Sequence, residues 1–224
     1  MKKKLWVLFI LKLGIIIIAS WGMAFEYSGY KWDESKLPLN YRINPANRPS
    51  WLSQDIFILT VQKSFQAWND VACSDMEFRY DGITGNAKSR DEIHSIFWNP
   101  TGAGMGDAAA LTWQWLNFKG DRLYDVDMEI NGSRVWSVSG EEGKYDLQSV
   151  ITHEAGHFLS LVDLYEETDR GKTMYGYIYQ GDIAPSTLDT ECRLPQATNR
   201  TFSVMRLVID LSIRSYQSKM APTR

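Results

Sequence analysis

The chain has 224 residues, room for one sizeable domain and hardly for two. Hydrophobic residues make up 44% and charged residues 23%, and a net charge of -3 provides none of the basic surplus that nucleic-acid binding needs. Aromatic residues reach 13%, so a well-packed core is expected, because each ring buries a large area.

Lys2, Lys3 and Lys4 precede a mainly apolar run from Leu5 to Ala19, interrupted by Lys12, and the small residues Gly22 and Ala24 follow. A basic start, an apolar middle and a small-residue cut site describe a secretory signal peptide over residues 1–24. The run is short for a bilayer crossing and carries a charge, which argues against an uncut anchor. The remaining chain is therefore expected to be secreted or extracytoplasmic, in a periplasm, at a cell surface or in the medium, with no stable membrane span. Export also favours a disulfide between Cys73 and Cys192 over two free thiols.

Leu39 to Asn44 alternates apolar and polar residues and predicts a strand, closed by a turn over Pro45, Asn47, Pro49 and Ser50. Ser53 is placed to cap a helix carrying Ile56, Leu59, Phe65 and Trp68, ending near Asn69 to Ala72. Met76 to Tyr80 and Ile93 to Trp98 predict short strands, separated by Asp81-Gly82 and polar residues. Gly102, Gly104 and Gly106 read as a flexible surface loop, since no phosphate-binding lysine follows on a helix. Ala109 to Trp115 and Tyr124 to Asn131 are the next expected strands. In the second of these, Asp125, Asp127 and Glu129 share one face. That face suits a cation such as calcium, or else is a solvated acidic surface. Strands with one early and one later helix imply an α+β domain around a single twisted sheet, with no internal repeat.

Asp146 is placed to cap the later helix, through Leu147, Val150, Ile151, Phe158 and Leu161. Within it lies His153-Glu154-Ala155-Gly156-His157. Histidines four apart project from one side of a helix, so their imidazoles can hold one metal ion, and zinc suits such ligands. Glu154 adjoins the first of them, within reach of a water at the metal, as a general base must be. His94 is the only other histidine. A zinc centre needs a third protein ligand as well.

The longer stretch His153-Glu-Ala-Gly-His157-Phe-Leu-Ser160-Leu-Val-Asp163 resembles the metzincin zinc peptidases, whose third ligand, His or sometimes Asp, lies six residues after the second His. Met174 in Thr173-Met174-Tyr175-Gly176 resembles their Met-turn. Tyr30-Lys31-Trp32, Leu39 to Ile43, Ala67-Trp68-Asn69, Asp125 to Asn131 and Tyr145 to Val150 look like a matrixin catalytic domain. The resemblance covers roughly residues 28–180, most of the mature chain.

The resemblance implies a zincin/metzincin-like fold, with an early long helix, an active-site helix and the Met-turn below the zinc. It implies one catalytic zinc held by His153, His157 and Asp163, Glu154 as general base, and Met174 packed beneath the metal. A protein or peptide substrate would lie antiparallel along the Ala109 to Trp115 edge, against Ala110 and Leu111. Tyr175 and Tyr177 would line the specificity pocket, with Tyr177 reaching the oxyanion; the alternative is that both are core aromatics. The chain departs from the pattern at Ser160, where matrixins have Gly, and a left-handed serine costs about 1 kcal/mol more.

The domain is accordingly expected over residues 25–190. After Met174 the resemblance fades: Thr187-Leu188-Asp189 looks like the start of the family's last helix, Glu191-Cys192-Arg193-Leu194-Pro195 does not continue it, and 191–224 is a divergent tail or the product of a frameshift. Two other functions compete: a secreted binding protein on an impaired metzincin scaffold, and a gluzincin-type peptidase using a downstream Glu such as Glu191. No particular oligomer is implied.

Overall fold

A computed structural model describes residues 25–71, 76–183 and 188. The signal-peptide reading, the Cys73–Cys192 pairing, Glu191 and the tail fall outside the described residues. Among the described residues, no helix is long and apolar enough to cross a membrane.

The described residues form nine strands and two α-helices: β1 (Glu26–Tyr27), β2 (Leu39–Ile43), α1 (Gln54–Asn69), β3 (Phe78–Ile83), β4 (His94–Asn99), β5 (Ala110–Leu116), β6 (Leu123–Asn131), β7 (Trp136–Ser137), β8 (Tyr145–Asp146), α2 (Leu147–Phe158) and β9 (Leu161–Val162). The main sheet has five strands in the order β3-β2-β4-β6-β5. Its first four strands run parallel, and β5 is an antiparallel edge on β6. This is an α+β arrangement with a mixed sheet.

Both helices start where side chains can satisfy free backbone donors. Ser53 Oγ accepts from Ile56 N, and Asp146 Oδ1 accepts from Ser149 N. The core lies between helices and sheet, where Phe57, Val61 and Phe65 of α1 and Val150, Ile151 and Phe158 of α2 meet Ile43, Ile96, Val126 and Met128. Polar anchors fix the height of α2 within this layer. Trp68 Nε1 donates to Thr152 O at 2.8 Å, Trp32 Nε1 to Phe158 O at 2.7 Å, and Ser64 Oγ to Gln148 O at 3.0 Å. Buried indole and hydroxyl donors need such partners, so each bond constrains register as well as position.

Two expectations change on the folded chain. Asp81-Gly82 does not end a strand: β3 runs through it to Ile83, and the pairing with β2 slips between Tyr41 and Ile43. Gly82 sits at φ +89°, so the glycine supports a bulge within the strand. The acidic face of β6 is not a solvated surface, for Asp125 and Asp127 are fully buried. The segment between β3 and β4 folds over that face and supplies donors. Asp125 accepts from Asp91 N, Glu92 N and Val126 N and pairs with His94 Nδ1, while Asp127 accepts from Ser89 N and Ser95 N. Glu129 accepts from Asn99 Nδ2 and Trp113 Nε1, both at 2.7 Å. The calcium expectation therefore gains no support, because protein N–H groups already stand where a cation's charge would be needed.

The glycine loop is also more constrained than a flexible surface loop. Gly102, at φ +64°, lies so close to Asn131 that a Cβ there would overlap Asn131 Oδ1, and Met105 beside it is buried.

Candidate metal centre

Two turns of α2 carry the centre. The His153 and His157 rings are 5.0 Å apart between centroids, and ligand atoms of His153, Glu154 and His157 lie within 4.8 Å of one another. Each ring makes one hydrogen bond through Nδ1: His153 to Thr173 O and His157 to Leu161 O, both at 2.8 Å. A carbonyl only accepts, so each Nδ1 carries a proton and each Nε2 is turned toward Asp163. This is the outer-shell bonding that orients metal-ligating imidazoles.

Asp163 arrives from a different part of the chain. After Phe158 the helix stops, and Ser160 adopts a left-handed conformation at φ +66°. That single residue reverses the chain into β9, which delivers Asp163 back over α2. Asp163 Oδ1 lies 3.0 Å from His153 Nε2 and 3.4 Å from His157 Nε2. Yet Oδ1 is buried and accepts no hydrogen bond from either ring. Two ring nitrogens and one carboxylate oxygen thus converge on one point. A buried, unpartnered carboxylate oxygen is costly unless positive charge is supplied. The donor set of two imidazoles and one carboxylate fits zinc, with a further position left for water.

The electrostatics point the same way. Burial pulls the His157 pKa down, but the Asp163 and Glu154 carboxylates outweigh it and hold it at about 9. Burial alone would raise the Asp163 carboxyl, and the two imidazoles instead hold it far below the usual carboxylate range. The pocket demands a positive partner, whether proton or metal.

The surroundings keep these groups aimed. Tyr165 OH donates to Asp163 Oδ2 at 3.0 Å, leaving Oδ1 for the histidines. Leu164 N donates to Met174 O and Gly176 N to Leu164 O, so the segment after Asp163 is pinned to the Met174 turn. Met174 is buried, and a Cβ on Gly156 would overlap its Sδ and sit 2.8 Å from Trp68 Cζ2. Glycine at position 156 is thus what lets Met174 pack directly under the ligand helix. From β5, Gln114 Nε2 donates to His157 O at 2.6 Å. Thr112 Oγ1 is 2.6 Å from Glu154 Oε2 and 3.1 Å from Glu154 O, so its one proton serves the carboxylate better.

A cleft of about 580 Å³ opens over the centre, lined among others by Ala110, Leu111, Thr112, His153, Glu154 and Tyr177. Tyr177 is 52% exposed and so is no core residue. Tyr175 does not line that cleft; it lines a neighbouring cavity of about 370 Å³ with Arg170 and Lys172. Tyr177 borders both. His94 pairs with Asp125 and packs against the Trp32 ring, and takes no part.

The bonds that Thr112, Gln114 and Tyr165 make at the centre, and the close packing that Gly156 allows, are not evident from the sequence. The period of two along β5 could have placed Thr112 and Gln114 with Ala110, on the face opposite Leu111 and Trp113. Nothing local signals Tyr165.

The fold is α+β, and His153, Glu154 and His157 form a cluster that could hold a metal ion. In sequence the chain is distantly similar to Metalloendoproteinase 1 of Glycine max, 26% identical over 150 residues, a match covering 63% of this chain and 46% of that protein. The match thus takes in less than half the length of that relative. No family model matches the chain.

Proposed function

We propose that this protein is a zinc-dependent metalloendopeptidase of the metzincin type, with a matrixin-like catalytic domain over residues 25–190 that is exported by a signal peptide at 1–24. The observation that carries the reading is the convergence of His153 Nε2, His157 Nε2 and the unpartnered Asp163 Oδ1 beside Glu154. The distant relative named a metalloendoproteinase supports the same class.

His153, His157 and Asp163 are the zinc ligands in this reading. When bound, zinc supplies Lewis acidity, polarising the scissile carbonyl and making a water proton easier to remove. Glu154 takes that proton as the water oxygen attacks the carbonyl carbon, and returns it to the amine nitrogen as the C–N bond breaks. The Thr112 hydroxyl holds Glu154 Oε2, which leaves Oε1 to handle the proton. The substrate backbone pairs with the free edge of β5 at Ala110 and Leu111, adding a strand to the sheet. Tyr177 stands at the junction of the two cavities, where a side chain on the leaving side of the bond would lodge.

The test uses purified, folded protein. One zinc per chain and casein or quenched-peptide cleavage, lost on chelation and in Glu154→Ala, are the expected results. Stoichiometric zinc without cleavage would turn the reading toward a binding protein. Full zinc retention in Asp163→Ala would turn it toward a gluzincin-type ligand set.

A further inference from the structure

The left-handed serine that aims Asp163 does not stand alone. Ser160 is 1% exposed, and its hydroxyl lies 2.5 Å from that of Ser28. Ser28 N also donates to Ser160 O at 2.9 Å. Immediately before Ser28, β1 pairs antiparallel with β9, Glu26 opposite Val162 and Tyr27 opposite Leu161. The N-terminal segment therefore grips three consecutive residues, 160–162, just before Asp163. One of these, Leu161, also presents the carbonyl that orients His157.

We propose that Ser28 is a positioning residue for the metal centre: its hydroxyl bonds Ser160 in the left-handed turn and so sets where Asp163 and His157 point. The proposal rests on the metallopeptidase reading of the same centre. The physical logic is compensation. A side chain at φ +66° is sterically disfavoured, while glycine takes the same angle freely. The Ser160 side chain is also buried and polar, so it needs a partner, and Ser28 provides one. A bond that holds the strained conformer in place does for serine what the absence of a Cβ does for glycine. Because Ser28 also borders the cleft, the N-terminal segment belongs to the wall of the site.

The test is a double-mutant cycle read by zinc affinity, using competition against a chromophoric chelator, with kcat/KM on a quenched peptide and amide hydrogen exchange over 159–163 as further readouts. Ser28→Ala is expected to weaken zinc binding about tenfold, as loss of an outer-shell partner does, and to speed exchange over 159–163. Ser28→Thr, which keeps the hydroxyl, is expected to restore both. In the Ser160→Gly background the Ser28→Ala change is expected to cost nothing further, because glycine holds the turn unaided. An equal loss in the serine and glycine backgrounds overturns the proposal, and so does wild-type affinity in Ser28→Ala. Should Ser28→Ala fail to fold, the comparison of Ser160→Gly with Ser28→Ala/Ser160→Gly decides by the same criterion. A wild-type protein that binds no zinc removes the metallopeptidase reading, and the positioning role falls with it; zinc binding indifferent to Ser28 removes the positioning role alone.

Discussion

Histidine meets clustered carboxylates twice in this molecule, with opposite results. Along β6 and its neighbours, Asp125, Asp127, Glu129 and His94 lie in the interior, and each carboxylate oxygen is met by an N–H donor. At the end of α2, His153, His157 and Asp163 also lie close together, but the Nδ1 protons point outward to Thr173 O and Leu161 O, and both Nε2 atoms face an Asp163 oxygen that accepts no hydrogen bond. The residue types are the same; the directions of the donors differ. The first cluster satisfies itself and acts as a structural clamp, whereas the second is complementary to a cation. Ligand chemistry depends on where lone pairs aim, which composition does not reveal.

The sharpest way to break this contrast is to remove one carboxylate from each cluster. Asp163→Ala is expected to lower zinc affinity by more than about a hundredfold and to remove turnover, since a direct ligand matters at least as much as an outer-shell one. Metal analysis after dialysis against a mild chelator measures the loss. Asp125→Ala is expected to leave zinc content unchanged but to cost about 3 kcal/mol in urea unfolding, because the buried Val126 N–H and His94 ring, with the part-buried amides of Asp91 and Glu92, lose their acceptor. Calcium is expected not to raise its thermal midpoint. Metal loss in both variants, or in neither, would erase the distinction.

Tyr165→Phe tests the aim of Asp163, the proposed third ligand, more gently. Removing the hydroxyl that holds Asp163 Oδ2 is expected to weaken zinc binding about tenfold without altering the fold. Chelator competition and far-UV circular dichroism on the same sample would show it.

The smallest effect concerns pH and the self-satisfied cluster. Burial, with help from Asp125 and Asp91, pushes the Asp127 carboxyl up to about 7 against the amides of Ser89 and Ser95. A raised carboxyl holds its proton in the folded chain while the unfolded chain has released it. Its contribution to stability is therefore present below the ordinary carboxylate range and is lost as pH rises through about 7. Asp125, held low by His94 and by backbone amides in spite of burial, works in the opposite sense and loses its contribution in acid. Urea titrations from pH 5 to 8 on wild type and Asp127→Asn are expected to converge as pH rises, the wild type losing ground to the variant; curves that stay parallel would contradict the assignment.

Most of the secondary structure was legible from local pattern. The capped starts of α1 at Ser53 and α2 at Asp146, and the strands β2, β4, β5 and β6 to within about two residues, follow from period and capping chemistry. The misreadings have one cause in common. Asp81-Gly82 looked like a break and is a bulge, and Asp125, Asp127 and Glu129 looked surface-bound and are buried, because in each case a segment distant in sequence supplies the missing bonds. Sequence carries period and local capping; it does not carry the direction from which a partner approaches.

For the candidate metal centre the division falls between the two ends of the proposed ligand set. That His153 and His157 share a helix face, with Glu154 next to them, was already determined by their spacing, since 3.6 residues per turn leaves them no alternative once a helix forms. Where Asp163 points was decided only by tertiary structure: by the turn at Ser160, the strand pairing of 26–27 with 161–162, and the Tyr165 hydroxyl. A helix positions its own side chains through local hydrogen bonds, whereas a loop residue takes its direction from whatever packs against it.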